Sequence, residues 1–184
     1  MYKKLLMTLS LCVSANVLAA NKPFTLQVEH EKNGGFTKEQ TLSAPYGFGC
    51  SGDNISPAIS WQNAPKGTKS FVLNIHDKDA PTGLGWVHWV VVNIPADATS
   101  IPAGVDKQNK NLPMGALQTR TDFGEPGYGG ACPPEGRTHN YEFTLTALSV
   151  DKLPLTADAT PALVGFMAKA NALAEAKVVI THQR

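Results

Sequence analysis

The run Val87-His88-Trp89-Val90-Val91-Val92-Asn93-Ile94 constrains this chain more than any other segment. It is short, rich in β-branched residues and nearly continuously apolar, and it stops at Pro95. Short apolar runs of this kind, without helical spacing, read as strands. A strand apolar on both faces has to be covered on both faces. The chain must therefore supply packing material for two sides of one sheet.

The other segments supply it. Phe24–Val28 and Ile59–Trp61 alternate as short strands. Ser70–Asp77 is a clearer one, with Phe71, Leu73 and Ile75 on one face and Val72, Asn74 and His76 on the other. Tyr141–Val150 places Tyr141, Phe143, Leu145 and Ala147 on one face, and Lys177–Thr181 closes the chain as a strand. Between them, Pro45–Pro57 and Ala98–Pro134 read as loops rich in glycine and proline. A loop as long as the second is usually functional or disordered. Its aromatic residues Phe123 and Tyr128 argue for order. One helix is expected: Thr160 is a good N-cap and Pro161 suits the first helical position. Leu163, Phe166, Met167, Ala170, Leu173 and Ala174 then recur at helical spacing, which predicts a buried face. The reading is a mainly β, single-domain protein of antiparallel sheets with a C-terminal helix.

The N-terminus has a different character. Lys3 and Lys4 precede an apolar run from Leu5 to Leu18, followed by Ala19-Ala20. This is the layout of a cleaved signal peptide, and the run is short for a membrane span. The expected division is a signal peptide over 1–20 and a domain over 21–184, with cleavage after Ala19 or Ala20 and a periplasmic location. Losing Lys3 and Lys4 leaves fourteen basic against fifteen acidic residues, so the exported chain is near neutral. That balance gives no general electrostatic reason to bind nucleic acid. Cys12 leaves with the signal, so Cys50 and Cys132 remain. Two cysteines in an exported chain suggest one disulfide; two free thiols are the alternative.

Gly47-Phe48-Gly49-Cys50-Ser51-Gly52 matches a dinucleotide-binding pattern by letter. That pattern needs a strand before it and a helix after it, and neither is expected there. No Walker loop, H-E-x-x-H or G-x-S-x-G occurs, and no cysteine or histidine spacing fits zinc. What remains is polar chemistry at strand ends. Asp77 and Asp79 follow one strand; Trp86 and His88 share a face at the start of the next; His139 and Tyr141 share a face at the start of a third. Brought together, a carboxylate and two imidazoles could hold an anion, with Asp77 orienting a ring. They could also hold a metal, or be hydrogen-bonded rim residues with no ligand.

Asp77-Lys78-Asp79-Ala80-Pro81 with Gly85-Trp86-Val87-His88-Trp89, and Cys132-Pro133-Pro134-Glu135-Gly136-Arg137-Thr138-His139-Asn140-Tyr141, resemble the two signatures of the phosphatidylethanolamine-binding protein family. Asp53-Asn54-Ile55-Ser56-Pro57 with Trp61, Thr121-Asp122-Phe123-Gly124 and Pro161-Ala162-Leu163-Val164-Gly165-Phe166 are similar to its bacterial Raf-kinase-inhibitor-like branch. The resemblance implies a central antiparallel sheet with a smaller sheet packed on it. It also implies a pocket for phosphate or a phospholipid headgroup, lined by Asp77, Ala80, Pro81, Trp86, His88, Pro133, Pro134, His139 and Tyr141. Two positions depart from the pattern: Lys78 stands where proline is usual, and Asn140 where arginine is usual.

The resulting expectation is an exported binding protein for a small anionic or phosphorylated ligand, a lipid headgroup among the candidates. No cofactor, metal or transmembrane segment is expected. A homodimer and a protein partner are left open. The alternative is a hydrolase using His88 or His139 as general base beside Asp77.

Overall fold

The computed structural model describes residues 22–184. The signal-peptide reading of residues 1–20 lies outside the described residues. Two antiparallel sheets carry the fold. The smaller is formed by β1 (Thr25–Val28), β2 (Ile59–Gln62) and β5 (Ser100–Ile101), in the order β1-β2-β5. The larger is formed by β3 (Ser70–Asp77), β4 (Trp86–Pro95), β6 (Leu117–Gln118), β7 (Thr138–Leu148) and β8 (Ala172–Gln183), in the order β6-β4-β3-β7-β8. Among the described residues, one α-helix, α1 (Pro161–Ala170), and one 3₁₀ turn at Ala44–Tyr46 complete it.

The larger sheet is covered on both faces, as the apolar run in β4 requires. Trp89 and Val91 face the smaller sheet, where they meet Leu26, Ile59, Trp61 and Ile101 together with Phe71, Leu73, Ile75, Phe143 and Leu145. Val90 and Val92 face the other way. They pack with Val72, Leu148, Leu153 and the Val164 and Ala168 side chains of α1.

Thr160 caps α1 as expected: its hydroxyl accepts from the Leu163 N–H at 3.3 Å, with Pro161 at the first helical position. The buried face differs from the expected stripe. Val164 and Ala168 are buried, Met167 partly so, whereas Leu163 is 45% and Phe166 75% exposed. Val164 and Ala168 are the helix side chains that pack with Val72 and Val90, and the bulkier Leu163 and Phe166 are turned outward. Leu173 and Ala174 are not helical at all, because β8 begins at Ala172. The stretch read as one long loop contributes two short strands, β5 and β6, each only two residues long.

Candidate functional site

Strand register assembles the site. Asp77 stands opposite Trp86 on β4 and opposite Tyr141 on β7, so one row across three strands carries all three. In the β3–β4 pair, Ile75 matches Trp89 but His76 matches Val87, which leaves His88 as an extra residue in a bulge. Bulges re-aim side chains near functional sites. Trp86 and His88 share a side by alternation, and the extra residue brings Trp89 into the core cluster that holds Tyr141, against which His88 also packs.

Two loops close the site. Phe123, in the turn after β6, stacks edge-on against His88 and Trp86, with ring centroids 5.4 Å from each. Its neighbour Asp122 holds the turn down by accepting from the Val87 N–H at 2.6 Å. A side chain at position 129 would collide with the Phe123 ring, so glycine is required there. The Gly129 carbonyl is then free to accept from His88 Nδ1–H at 2.8 Å. On the other side, Phe48 packs edge-on against Trp86 and Phe123. Asn54, in the left-handed region at φ 56°, staples that loop down: its Nδ2 donates to Tyr128 O at 2.9 Å and its Oδ1 accepts from Gly130 N at 2.8 Å.

Cys50 and Cys132 form the expected disulfide, with Cα atoms 5.9 Å apart. It joins the Phe48 loop to the segment leading into β7. The Arg184 guanidinium lies against it, with Nη1 3.0 Å from Cys50 Sγ and 3.2 Å from Cys132 Sγ. The same Nη1 donates to the Phe48 carbonyl at 3.2 Å.

These parts enclose a cavity of about 200 Å³, lined mostly by apolar groups. The structure brings Asp77, Ala80, Pro81, Trp86, His88, Pro134 and His139 to its wall, together with Leu42, Phe48, Thr82, Phe123 and Cys132. Two of the expected residues do not reach the wall. Pro133 is buried away from it. Tyr141 is wholly buried behind His88, ring centroids 5.1 Å apart. Phe48, Leu42 and Thr82 were not singled out by the strand-end argument, because loops far apart in sequence carry two of them and the third is an ordinary core leucine.

At the floor, His139 Nδ1–H donates to Asp77 Oδ2 at 2.7 Å. Asp77 Oδ1 accepts from the Asp79 N–H at 2.9 Å, so both oxygens are occupied. Burial lowers the His88 pKa below the ordinary imidazole value, outweighing the Gly129 carbonyl and the Asp77 charge, which act to raise it. Desolvation is the largest of these effects. Burial raises the Tyr141 phenol, and the Asp77 charge adds to this. The buried Trp86 Nε1 donor has no hydrogen-bond partner, while the Tyr141 hydroxyl lies beside the Asp77 carboxylate and the Cys132 backbone.

The two departures from the family pattern sit outside the cavity wall. Lys78 pairs with Glu142 at 3.4 Å. Asn140 is bound to Asp79, its backbone N–H 2.7 Å and its Nδ2 2.9 Å from Oδ2. Among the described residues, no group of three or more His, Cys, Asp or Glu is placed to hold a metal ion.

This two-sheet β fold is shared with the crystal structure of Escherichia coli YbcL, described as a new member of the mammalian PEBP family. The two superpose with a TM-score of 0.82 at 43% identity, covering 88% of this chain and 98% of that one. A family model for phosphatidylethanolamine-binding protein matches residues 32–183, and the chain belongs to that family. By sequence, the UPF0098 protein YbcL of E. coli K12 is 48% identical over 139 residues, 74% of this chain and 76% of its own. The UPF0098 protein YbhB of the same organism is 51% identical over 132 residues, 72% of this chain and 84% of its own.

Proposed function

We propose that this protein is an exported binding protein that holds a small ligand at Asp77, His88 and His139, and that takes up anions such as phosphate or a phospholipid headgroup when the imidazoles are protonated. The observation that carries the reading is the buried Asp77–His139 pair at the floor of a cavity with apolar walls. A catalytic nucleophile is not needed to explain that arrangement. Neither histidine is hydrogen-bonded to a serine, threonine or cysteine among the described residues, and Cys132 is in the disulfide. The unpartnered Trp86 indole N–H adds support, since a buried polar group without a partner calls for an explanation and a ligand is one. The hydrolase reading, with His88 or His139 as general base, has the Asp77–His139 hydrogen bond in its favour. Turnover of acyl or phosphoryl esters, lost in His88→Ala, would establish it.

The test is sulfate affinity by calorimetry from pH 8 to pH 5. An imidazolium offers two donors and a positive charge, where a neutral ring offers one donor. Affinity should therefore rise as pH falls. For His88 the rise should come below the ordinary imidazole range, because its pKa is lowered. Affinity flat with pH, or untouched in both His88→Ala and His139→Ala, would contradict the reading. Export is tested separately: deleting residues 1–20 should move the protein from the periplasmic to the cytoplasmic fraction.

A further inference from the structure

The hydrogen-bond pattern inside the cavity defines a ligand more narrowly than its location does. Gly129 O can only accept, so His88 Nδ1 carries a proton; the Asp77 carboxylate likewise fixes the proton of His139 on Nδ1. In the neutral rings, each Nε2 is then an acceptor. Among the described residues, neither Nε2 has a hydrogen-bond partner, and both rings line the cavity. No lysine or arginine lines it, although Arg137 borders the adjoining opening beside Pro81, Pro134 and His139. Both Asp77 oxygens are already occupied, by Asp79 N–H and His139 Nδ1–H. An incoming anion thus meets two lone pairs and a carboxylate. Around them the wall is hydrocarbon and aromatic: Leu42, Phe48, Ala80, Pro81, Trp86 and Phe123.

We infer that with its imidazoles neutral this pocket selects an uncharged hydroxyl on an aromatic ring, the chemistry of a phenol, over any anion. The inference rests on the binding reading above and assigns that site its preferred ligand class. A hydroxyl donates to an imidazole Nε2 and still accepts from a donor, and Trp86, which lines the cavity, carries an unpartnered donor in Nε1. Size agrees. A cavity of about 150 Å³ lined by apolar side chains is enough for benzene, and this one measures about 200 Å³, room for one ring with a small substituent. The aromatic edges and faces of Phe48, Trp86 and Phe123 suit such a ring.

The groups facing His88 set the pH at which the preference reverses. They are Asp77 and His76 of β3, and His139 and Tyr141 of β7. Asp122 reaches the backbone beside it. Once the rings are protonated, each Nε2 becomes a donor and the site turns toward anions.

The test uses phenol, anisole, toluene and sulfate on the wild-type protein, followed by the shifts of the Trp86 indole and histidine ring signals in NMR titrations at pH 8 and pH 5. Phenol ionises near pH 10, as tyrosine does, so it is neutral throughout. Phenol should bind at pH 8 about tenfold tighter than anisole, which has the ring but no donor. Toluene should match anisole, and sulfate should not compete at pH 8. At pH 5 the margin of phenol over anisole should shrink and sulfate should compete. Equal affinity for phenol and anisole would overturn the inference, as would sulfate binding at pH 8 more tightly than phenol; in both cases the site would still bind ligands. No binding of any probe at either pH would overturn this inference and the binding reading together. Because the comparison varies the ligand, it does not depend on a variant that folds. His88→Phe, if it folds, should bind anisole and toluene but lose the preference for phenol.

Discussion

His139 Nδ1 lies 2.7 Å from Asp77 Oδ2, with the two side chains 6% and 5% exposed. The two residues are 62 positions apart in sequence, and this contact adds a side-chain link where the end of β3 already pairs with the start of β7. It also fixes which ring nitrogen faces the cavity. Everything concluded about the pocket's chemistry depends on it.

Asp77→Ala should therefore destabilise the fold as well as alter the site. The substitution strands the buried His139 Nδ1–H, and an unsatisfied buried donor costs about 1–3 kcal/mol; the Asp79 N–H, on an exposed residue, can turn to water. Urea unfolding of Asp77→Ala and Asp77→Asn checks this. The asparagine variant keeps an acceptor and should lose less. Equal stability of all three proteins would mean the pair is structurally idle.

The helix provides a sharper contrast. Phe166→Ala should change stability by no more than about 0.5 kcal/mol, as exposed substitutions do, because the ring is 75% exposed. Val164→Ala should cost about 1.5–3 kcal/mol through lost burial and the cavity left behind. Thermal melts of the two variants decide it, and a larger effect at Phe166 would invert the assignment of faces.

This face marks a limit of what the sequence shows. Leu163, Phe166 and Met167 recur at helical spacing as well as Val164 and Ala168 do, and periodicity alone ranks the larger residues first. The choice of face is made by the fit of small side chains over Val72 and Val90, a property of two surfaces rather than one. The central strand was legible because β4 is apolar on both sides, and Asp77, Trp86 and His139 were legible because they end strands. Phe48 and Phe123 reach the cavity from loops whose path is set by Asn54, Asp122 and the disulfide, and no period in the sequence encodes that path. Strands β5 and β6, two residues each, carry too few residues to show alternation.

The disulfide closes a span of 82 residues. Loop entropy makes such a link worth about 4–5 kcal/mol, with removal of native bridges typically costing about 2–5 kcal/mol. Cys50→Ala/Cys132→Ala should fall in that range in denaturant titrations, compared with wild type under non-reducing conditions. A loss below about 1 kcal/mol would show that Asn54 and Arg184 hold the loop without it.

Stability should decline in mild acid for a stated reason. Burial lowers the pKa of His88 and also of His182, whose Nδ1 accepts from the Phe36 N–H at 3.2 Å. For each, the unfolded chain takes up protons first, starting near pH 6.5. Their contribution is thus complete above that pH and is lost as pH falls toward the folded-state values. Unfolding free energy measured from pH 7.5 to 5 should drop, and the slope should be shallower in His182→Gln. An unchanged slope in that variant would remove His182 from the account.

The central claim is that Asp77, His88 and His139 mark the place where ligand binds. The most direct measurement is a phosphate titration of isotope-labelled protein at pH 5.5, read from backbone and indole N–H signals. The account predicts the largest shifts at Trp86 Nε1–H and at the Gly129 and Gly130 amides, which border His88, with saturation at one site. Saturable shifts centred elsewhere on the surface, with these three signals unmoved, would contradict it.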